Sequence, residues 1–450
     1  MDSKWINLRD RLFFNTTDST FDATCSEIRD ELIRQKDTRL LADMAIDLRS
    51  YLMNYVIGNE KGLLNQIARA QAEKNVEALE IMGETELVKE TLKEIQLLED
   101  SSLIKLTRLT DEGILNVRWG NDNGLGIMQA MRRGAMLVTT NPPIINMARK
   151  AHPEFYGKVR DRINSLYGSA GLEKRVQLLT MNIVLNNCRA LRLIYELSGH
   201  QLGYVNYQVN PHNYGNADAM IDEIYFAYDY MAKELGGKPN VVFKVPGTEA
   251  SLKTVEMATK KGIGVTVTVN FSVSQSYEFS KRIQEGSADK SYIVIMAGRL
   301  DGPVAEDLEK AGIPDFDLLS REASRAVTQA VYNDVILKNG FTKSEILVAS
   351  LRGPWNINAS LTSDHRSRIM ISAFPDKAAE YDGKVRDYAP LVQQKILEDQ
   401  IILLEKSDVF HKAYHFNSLK PDMFDTYKPV VDTLNSFIKV YDELKAYMDA

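Results

Sequence analysis

Hydrophobic positions recur at helical spacing near both ends of the chain. In residues 23–35 and 84–100 they lie among charged residues, and residues 424–450 have an amphipathic period. This pattern predicts a helical N-terminal extension over residues 1–105 and a helical C-terminal segment over residues 385–450. Because each helix has one apolar face, we expect these helices to cover the rest of the fold or a subunit partner, which allows a homo-oligomer.

The middle of the chain has short apolar or β-branched runs that are typical of buried strands. The eight runs span residues 114–119, 135–140, 204–209, 240–245, 264–269, 292–297, 345–350 and 368–372. Each segment between two runs is long enough for at least one helix. One helix is predicted over residues 250–261, with Thr248 as its N-cap and Gly262 as its terminator.

Eight strands that alternate with helices predict an α/β fold, specifically a (β/α)8 TIM barrel over residues 106–384. A doubly wound open sheet is the alternative. Its dinucleotide-binding form needs a GxGxxG motif, and Gly120, Gly124 and Gly126 follow the first run with a different spacing. The barrel is therefore the expected architecture.

Composition and charge narrow the class of protein. The chain has 450 residues, 44% of them hydrophobic and 26% charged, so it can bury a sizeable core. Its net charge of −6 disfavours binding to nucleic acid or anionic membranes. The N-terminus does not read as a signal peptide, and no apolar run is long enough to span a bilayer. Cys25 and Cys188 indicate no disulfide framework, so a cytoplasmic protein is expected.

Lys244 lies at the end of the fourth predicted strand, within the segment NVVFKVPGTEA (residues 240–250). Burying an unpaired ammonium group costs on the order of several kcal/mol. Burial also lowers the pKa of a lysine from about 10.4 and frees its lone pair to attack a ketone. Lys244 is therefore a candidate nucleophile. The alternative is a lysine at a strand end that reaches solvent.

In a (β/α)8 barrel, residues at the carboxyl ends of the strands carry the chemistry. Besides Lys244, these positions hold hydrogen-bonding groups and two arginines. They are Thr139, Thr140 and Asn141 in the second strand or just after it, Gln208 and Asn210 for the third, Thr266 and Thr268 for the fifth, Arg299 for the sixth, and Ser350 and Arg352 for the seventh. Packing alone does not explain such a ring, and a binding site that includes Thr139 is predicted there.

Five motifs at these strand ends resemble, in order, the signatures of the transaldolase family. They are VTTNPPII (138–145), FKVPGT (243–248), GIGVTVTVNFS (262–272), MAGRLDG (296–302) and ILVASLR (346–352). The family consists of class I aldolases, which form Schiff bases and are built on (β/α)8 barrels. The resemblance covers roughly residues 115–375 and leaves out both helical ends.

The resemblance implies a reaction and a set of roles. Lys244 is the Schiff-base lysine, which attacks the C2 ketone of a ketose. The ketose is expected to be a sugar phosphate. After the C3–C4 bond breaks, a dihydroxyacetone unit passes to an acceptor aldehyde or is released by water, without metal or organic cofactor. Asn141 holds substrate hydroxyls, and Arg299, Ser350 and Arg352 bind the substrate phosphate, which suits planar guanidinium groups.

The chain departs from the transaldolase pattern at several strand positions. Gln208 occupies the place of a glutamate, and a glutamine there is seen in the fructose 6-phosphate aldolase branch. Gln208 and Thr268 could hold the water near the iminium, although an amide cannot act as a base. Thr266 replaces an asparagine that contacts substrate. Met296 and Val294 replace a tyrosine of that branch and a phosphate-binding serine, so an unusual donor, for example one without phosphate, is a further hypothesis.

The sequence leaves open which residue of the first strand supplies the acid/base carboxylate. WGNDNG (119–124) offers Asp122, but alignment of the following helix without a gap puts Asn121 in the slot. One sequence does not establish the register of this strand. Asp122 is preferred because an amide cannot accept the proton; the alternative is that Asp122 is only a turn residue.

Two further hypotheses concern the whole chain and its histidines. A barrel with altered acid/base residues could bind a sugar phosphate without catalysis, although a binding protein gains nothing from a buried lysine. His411 and His415 have the i, i+4 spacing of a helical metal-binding pair. They have no companion motif, so a surface feature is predicted there and no metal site.

Overall fold

The computed structural model describes residues 3–13, 16, 19–56 and 63–450. The remaining parts of the predicted N-terminal extension, namely residues 1–2, 14–15, 17–18 and 57–62, lie outside the described residues. Within the described ranges, no helix combines the length and the apolar character needed to cross a membrane.

The N-terminal part of the chain is helical, as predicted. Its helices are α1 (Ser3–Phe13), α2 (Phe21–Gln35), α3 (Thr38–Asp47), α4 (Tyr51–Val56), α5 (Leu63–Ile81), α6 (Thr85–Glu99) and α7 (Ser102–Asp111). Asp37 and Ser101 begin α3 and α7 as N-caps, because their side-chain oxygens accept hydrogen bonds from the first turn.

The described residues form a closed barrel of eight parallel strands in sequence order, which confirms the predicted fold. The strands are β1 (Val117–Asn121), β2 (Ala135–Val138), β3 (Tyr204–Gln208), β4 (Val241–Pro246), β5 (Val265–Thr268), β6 (Ser291–Met296), β7 (Ser344–Ala349) and β8 (Ile369–Ala373). Every strand residue is buried. Helices cover the outer face of such a barrel and side chains fill its interior, so most strand residues are apolar.

Helices connect the strands and surround the barrel. They are α8 (Ile127–Arg132), α9 (Pro142–Ala151), α10 (Pro153–Tyr167), α11 (Leu172–Leu197), α12 (Ala217–Leu235), α13 (Glu249–Lys260), α14 (Val273–Glu285), α15 (Ala297–Lys310), α16 (Phe316–Val331), α17 (Pro354–Ala359) and α18 (Pro375–Asp382). The predicted helix after the fourth strand is α13, and Thr248 is its N-cap residue. The hydroxyl of Thr248 does not cap the helix, because it donates to the Tyr214 carbonyl at 2.7 Å.

The C-terminal helices are α19 (Glu398–Leu404), α20 (Asp408–Tyr414) and α21 (Lys428–Asp449). Helix α21 packs against α9 and α11 of the barrel. Asn146 near the start of α9 donates to Glu443 at 2.8 Å, and His212 after β3 lies 2.8 Å from Asp442. Both contacts follow the carboxyl ends of strands, so α21 lies across one side of the barrel mouth.

A buried ion network joins the N-terminal helices to the barrel. The guanidinium of Arg132 in α8 contacts Asp47 at 2.5 Å and Asp43 at 3.1 Å, both in α3. The indole nitrogen of Trp5 donates to the second oxygen of Asp47 at 2.9 Å. All four side chains are buried. The extension is therefore held to the barrel by directional contacts as well as by apolar packing.

We expect Arg132→Met to lower the free energy of unfolding by about 3–5 kcal/mol, because two buried carboxylates lose their cation. Urea denaturation followed by circular dichroism measures this change. The matched control is Arg11→Met, which removes the more exposed ion pair with Glu31 and should cost about 1 kcal/mol or less. Equal effects of the two substitutions would show that the network does not hold the extension in place.

Candidate active site

Lys244 lies inside the barrel near the end of β4, with 4% of its surface exposed. Its ammonium nitrogen donates to the carbonyl of Thr140 at 3.3 Å. Burial lowers the pKa of Lys244, and the charge of Asp122 opposes this shift. The alternative that Lys244 reaches solvent is therefore wrong. Burial therefore favours the neutral amine of Lys244, and the neutral amine is the form that can attack a carbonyl carbon.

Asp122 directly follows β1, and its carboxyl group is buried. One of its oxygens accepts a hydrogen bond from the Thr139 hydroxyl at 2.5 Å, and that hydroxyl lies 2.7 Å from the Ser372 hydroxyl on β8. Burial raises the pKa of Asp122, whereas Lys244, Thr139 and Arg299 lower it. A carboxyl group with these opposing influences can exchange a proton during a reaction.

Asn121 points away from this carboxyl group. Its side-chain amide donates to the carbonyls of Asn123 and Leu125, both at 2.9 Å, and so it fastens the loop that follows β1. The carboxyl group of Asp122 therefore lies on the side of the barrel that holds Lys244, whereas Asn121 stabilises the loop that follows β1.

Three side chains lie in one row across neighbouring strands. Gln208 of β3 pairs in register with Lys244 of β4, which in turn pairs with Thr266 of β5. The side-chain oxygens of Gln208 and Thr266 are buried and have no hydrogen-bond partner among the described residues. Thr268 follows on the same face of β5, where its hydroxyl approaches the sulfur of Met296 at 3.8 Å. Buried polar atoms of this kind bind water or ligand in folded proteins.

Two arginines lie at the edge of this site. Arg299 is half-buried in the first turn of α15, and Arg352 follows β7. A guanidinium nitrogen of Arg352 donates to the carbonyl of Ser350 at 3.2 Å and lies 3.4 Å from its hydroxyl. Burial, and next the charge of Arg352, lowers the pKa of Arg299. Two neighbouring guanidinium groups suit the binding of an anion such as phosphate.

The backbone at this edge is tightly packed. Gly298 donates its N–H to the Ser350 carbonyl at 3.1 Å. A Cβ atom on Gly298 would lie 2.4 Å from the Cγ of Arg352, so a larger residue would displace that arginine. Ser350 has φ 61°, in the left-handed region that non-glycine residues seldom adopt. Such strained residues are concentrated at functional sites.

Asn141, which is predicted to hold substrate hydroxyls, is the N-cap residue of α9. Its side-chain oxygen accepts the N–H of Ile144 at 2.9 Å and caps α9. Only its amide NH2 group is therefore free of the cap and able to donate to a hydroxyl.

Several residues of the site were not predicted from the sequence. Asn356 accepts the backbone N–H of Arg352 at 2.8 Å and reaches Asp301, at 3.5 Å. Burial raises the pKa of Asp301 to about 8. The ring of Phe437 in α21 lies 5.3 Å from the guanidinium of Arg299. Asp301 lies within the MAGRLDG motif, whereas no sequence signal indicated Asn356 or Phe437.

Comparison with known proteins identifies this barrel. The family model described as Transaldolase/Fructose-6-phosphate aldolase matches residues 127–387, more than half of the chain. The transaldolase of Thiobacillus denitrificans is 28% identical over 208 residues, which cover 44% of this chain and 55% of that protein. Transaldolase 2 of Nostoc sp. is 31% identical over 205 residues, which cover 41% of this chain and 50% of that protein.

Transaldolase 1 of Streptomyces avermitilis is 27% identical over 247 residues, covering 50% of this chain and 62% of that protein. The chain thus spans about half the length of the curated relatives it matches. The matched residues of the family model include Lys244, Arg299 and Arg352 but begin after Asp122. The resemblance seen in five strand-end motifs is confirmed, and the chain belongs to the transaldolase/fructose-6-phosphate aldolase family.

Proposed function

We propose that this protein is a class I aldolase that forms a Schiff base with a ketose through Lys244. The observation that carries the proposal is the burial of this lysine next to a buried carboxyl group, that of Asp122. Burial lowers the pKa of the amine and raises the pKa of the acid. This combination supports an amine nucleophile with a nearby group that exchanges protons.

The proposed reaction begins with attack of neutral Lys244 on the C2 ketone. The carbinolamine loses water and becomes an iminium, with Gln208 and Thr268 as hydrogen-bonding partners of that water. Asp122, as carboxylate, accepts the proton of the C4 hydroxyl, and the electrons of the C3–C4 bond move into the iminium. The products are an aldehyde and a three-carbon enamine bound to Lys244.

The enamine has two fates, and Gln208 bears on the choice between them. In a transferase the enamine carbon attacks an acceptor aldehyde, and in a lyase it takes a proton before water releases dihydroxyacetone. Gln208 cannot act as a base, so water activation falls to other groups. We propose transaldolase-like transfer as the first candidate and fructose 6-phosphate aldolase-like cleavage as the second.

Borohydride trapping with fructose 6-phosphate, followed by peptide mass spectrometry, tests the proposal. A reduced three-carbon adduct on Lys244 supports both imine formation and cleavage. Loss of this adduct when erythrose 4-phosphate is added favours transfer over release. If several ketoses bind but none forms an adduct on Lys244, the chain is a sugar-phosphate-binding barrel without catalysis.

We propose that Arg299 and Arg352 bind the phosphate of the substrate. Hydrogen bonds to charged groups contribute about 1.5–3 kcal/mol, so Arg299→Gln should raise KM for fructose 6-phosphate by about 10- to 100-fold. With unphosphorylated fructose as donor the effect should be far smaller. Steady-state kinetics with both donors measure the difference, and Arg321→Gln on the surface of α16 is the control. Equal effects on both donors would contradict a phosphate-binding role and favour a donor of another kind.

We further propose a cytoplasmic location for this chemistry. Cys25 and Cys188 are both buried free thiols, a state typical of proteins in reducing compartments.

A further inference from the structure

Glu405, His411 and His415 form a cluster on the surface, on the side of the fold that carries α19 and α20. Glu405 directly follows α19, His411 lies in α20, and His415 directly follows α20. The His411 Nδ1 and His415 Nε2 atoms each lie 2.7 Å from a different oxygen of the Glu405 carboxylate. The two imidazole rings are 4.7 Å apart between centroids. The Glu405 carboxylate thus hydrogen-bonds both rings and holds them close together.

We propose that these three side chains bind a divalent transition-metal ion of the zinc class. One ligand atom from each residue lies within 4.8 Å of those of the other two. Tetrahedral Zn²⁺ has bonds of about 2.0–2.2 Å to nitrogen and oxygen, which separates its ligands by about 3.4 Å. Small side-chain rotations therefore bring the cluster to coordination geometry. Two imidazoles and one carboxylate leave the fourth position for water.

The chemistry of the donors selects the class of ion. Imidazole nitrogen suits Zn²⁺, Cu²⁺, Ni²⁺ and Co²⁺, whereas Ca²⁺ and Mg²⁺ prefer sites made of oxygen. Coordination needs a lone pair on each ring nitrogen that now faces the carboxylate, so the proton on that nitrogen moves to the other ring nitrogen or to solvent.

The proposed ion would be accessible from solvent and would link α19 to α20. The exposed side-chain fractions of Glu405, His411 and His415 are 26%, 51% and 46%, so the ion can enter from solvent. Helix α20 packs against α15 and α16, and its residues Val409 and Phe410 are buried. An ion held by residues at the ends of α19 and α20 would close the turn between these helices.

This site extends the interpretation of the histidine pair. The i, i+4 spacing of His411 and His415 indicated only a surface feature, because the pair has no companion motif. The structure supplies Glu405 from the preceding helix. The site lies apart from Lys244, and the proposal does not depend on the proposed reaction.

Titration calorimetry of the chelator-treated full chain with ZnCl2 tests the site. We expect one ion per chain, and at least about tenfold weaker binding in His411→Ala and in Glu405→Gln, since each loses a ligand. The control His365→Ala removes an exposed histidine whose Nε2 lies 3.2 Å from the Gly113 carbonyl, outside the proposed cluster, and it should bind zinc as the wild type does. With CoCl2, the wild type should show the visible absorption of tetrahedral Co²⁺.

Thermal unfolding gives a second readout that needs no catalytic activity. The Tm of the wild type should rise with zinc concentration, because the ion binds the folded state, and this rise should be lost in His415→Ala. The side chains of His411 and His415 are about half exposed, so these variants should fold without the metal. No zinc bound at one equivalent, or equal affinities in the wild type and the ligand variants, would overturn the proposal.

Discussion

Lys244→Met is expected to abolish both turnover of ketoses and borohydride labelling of the chain. Methionine fills a similar volume but has no nucleophile, so the loss should be on the order of 10⁴-fold or more. Stopped assays for aldehyde release and mass spectrometry of the borohydride-treated protein measure the two effects. Lys253→Met, which removes an exposed lysine on α13, is the matched control.

The same variant should be at least as stable as the wild type near neutral pH. Because burial lowers the pKa of Lys244, the unfolded chain binds this proton more tightly than the folded chain does. The group therefore destabilises the fold below its folded pKa, and this penalty disappears as the pH rises toward the unfolded value of about 10.4. A strongly destabilised methionine variant would mean that the ammonium group is paired and not a poised amine.

The acidic limb of the pH–rate profile tests whether the pKa of Lys244 is lowered. In the proposed reaction the neutral amine of Lys244 is the reactive form, so kcat/KM should rise with pH through a pKa that lies below the ordinary lysine value of about 10.4. A limb that stays at the ordinary value would contradict the effect of burial.

Asp122→Asn is expected to block cleavage while the Schiff base still forms. A positioned acid/base group contributes about 10²- to 10⁴-fold, so turnover should fall by that amount. Borohydride treatment with fructose 6-phosphate should then trap a six-carbon adduct on Lys244 in place of the three-carbon one.

A second variant separates Asp122 from its neighbour. In the double variant Asn121→Asp, Asp122→Asn, the chain keeps its number of carboxylates, but the carboxylate moves by one position. Because Asn121 points into its own loop, activity should stay as low as in the single variant. Restored cleavage in the double variant would mean that the strand offers position 121 to the substrate.

The sequence predicted the barrel well for a physical reason. Strands buried on both faces consist mostly of apolar or β-branched residues, and each of the eight lies within a few residues of its predicted position. The choice between Asn121 and Asp122 could not be made, because a shift of one residue reverses every side chain of a strand. That direction comes from contacts with Thr139 and from the loop that Asn121 fastens.

The sequence pattern did not indicate several side-chain contacts at the two sites. Asn356 holds the backbone of Arg352, and Phe437 reaches Arg299 from the last helix, yet neither residue type at that place signals such a role. Glu405 was missed in the same way, because it precedes the helix that carries His411. Phe437 is brought to Arg299 by the packing of α21, whereas Asn356 and Glu405 are close in sequence to Arg352 and His411 and meet them through local turns.

The placement of α21 has a consequence for biosynthesis. Lys244 and Asp122 belong to strands and loops that are translated well before the helix that carries Phe437. All eight strands precede α21 in the chain, so we expect the barrel to close and to bury Lys244 while the side of its mouth next to Arg299 is still uncovered. We therefore expect the chemical groups to mature first and the selection of substrates last, when α21 reaches the barrel.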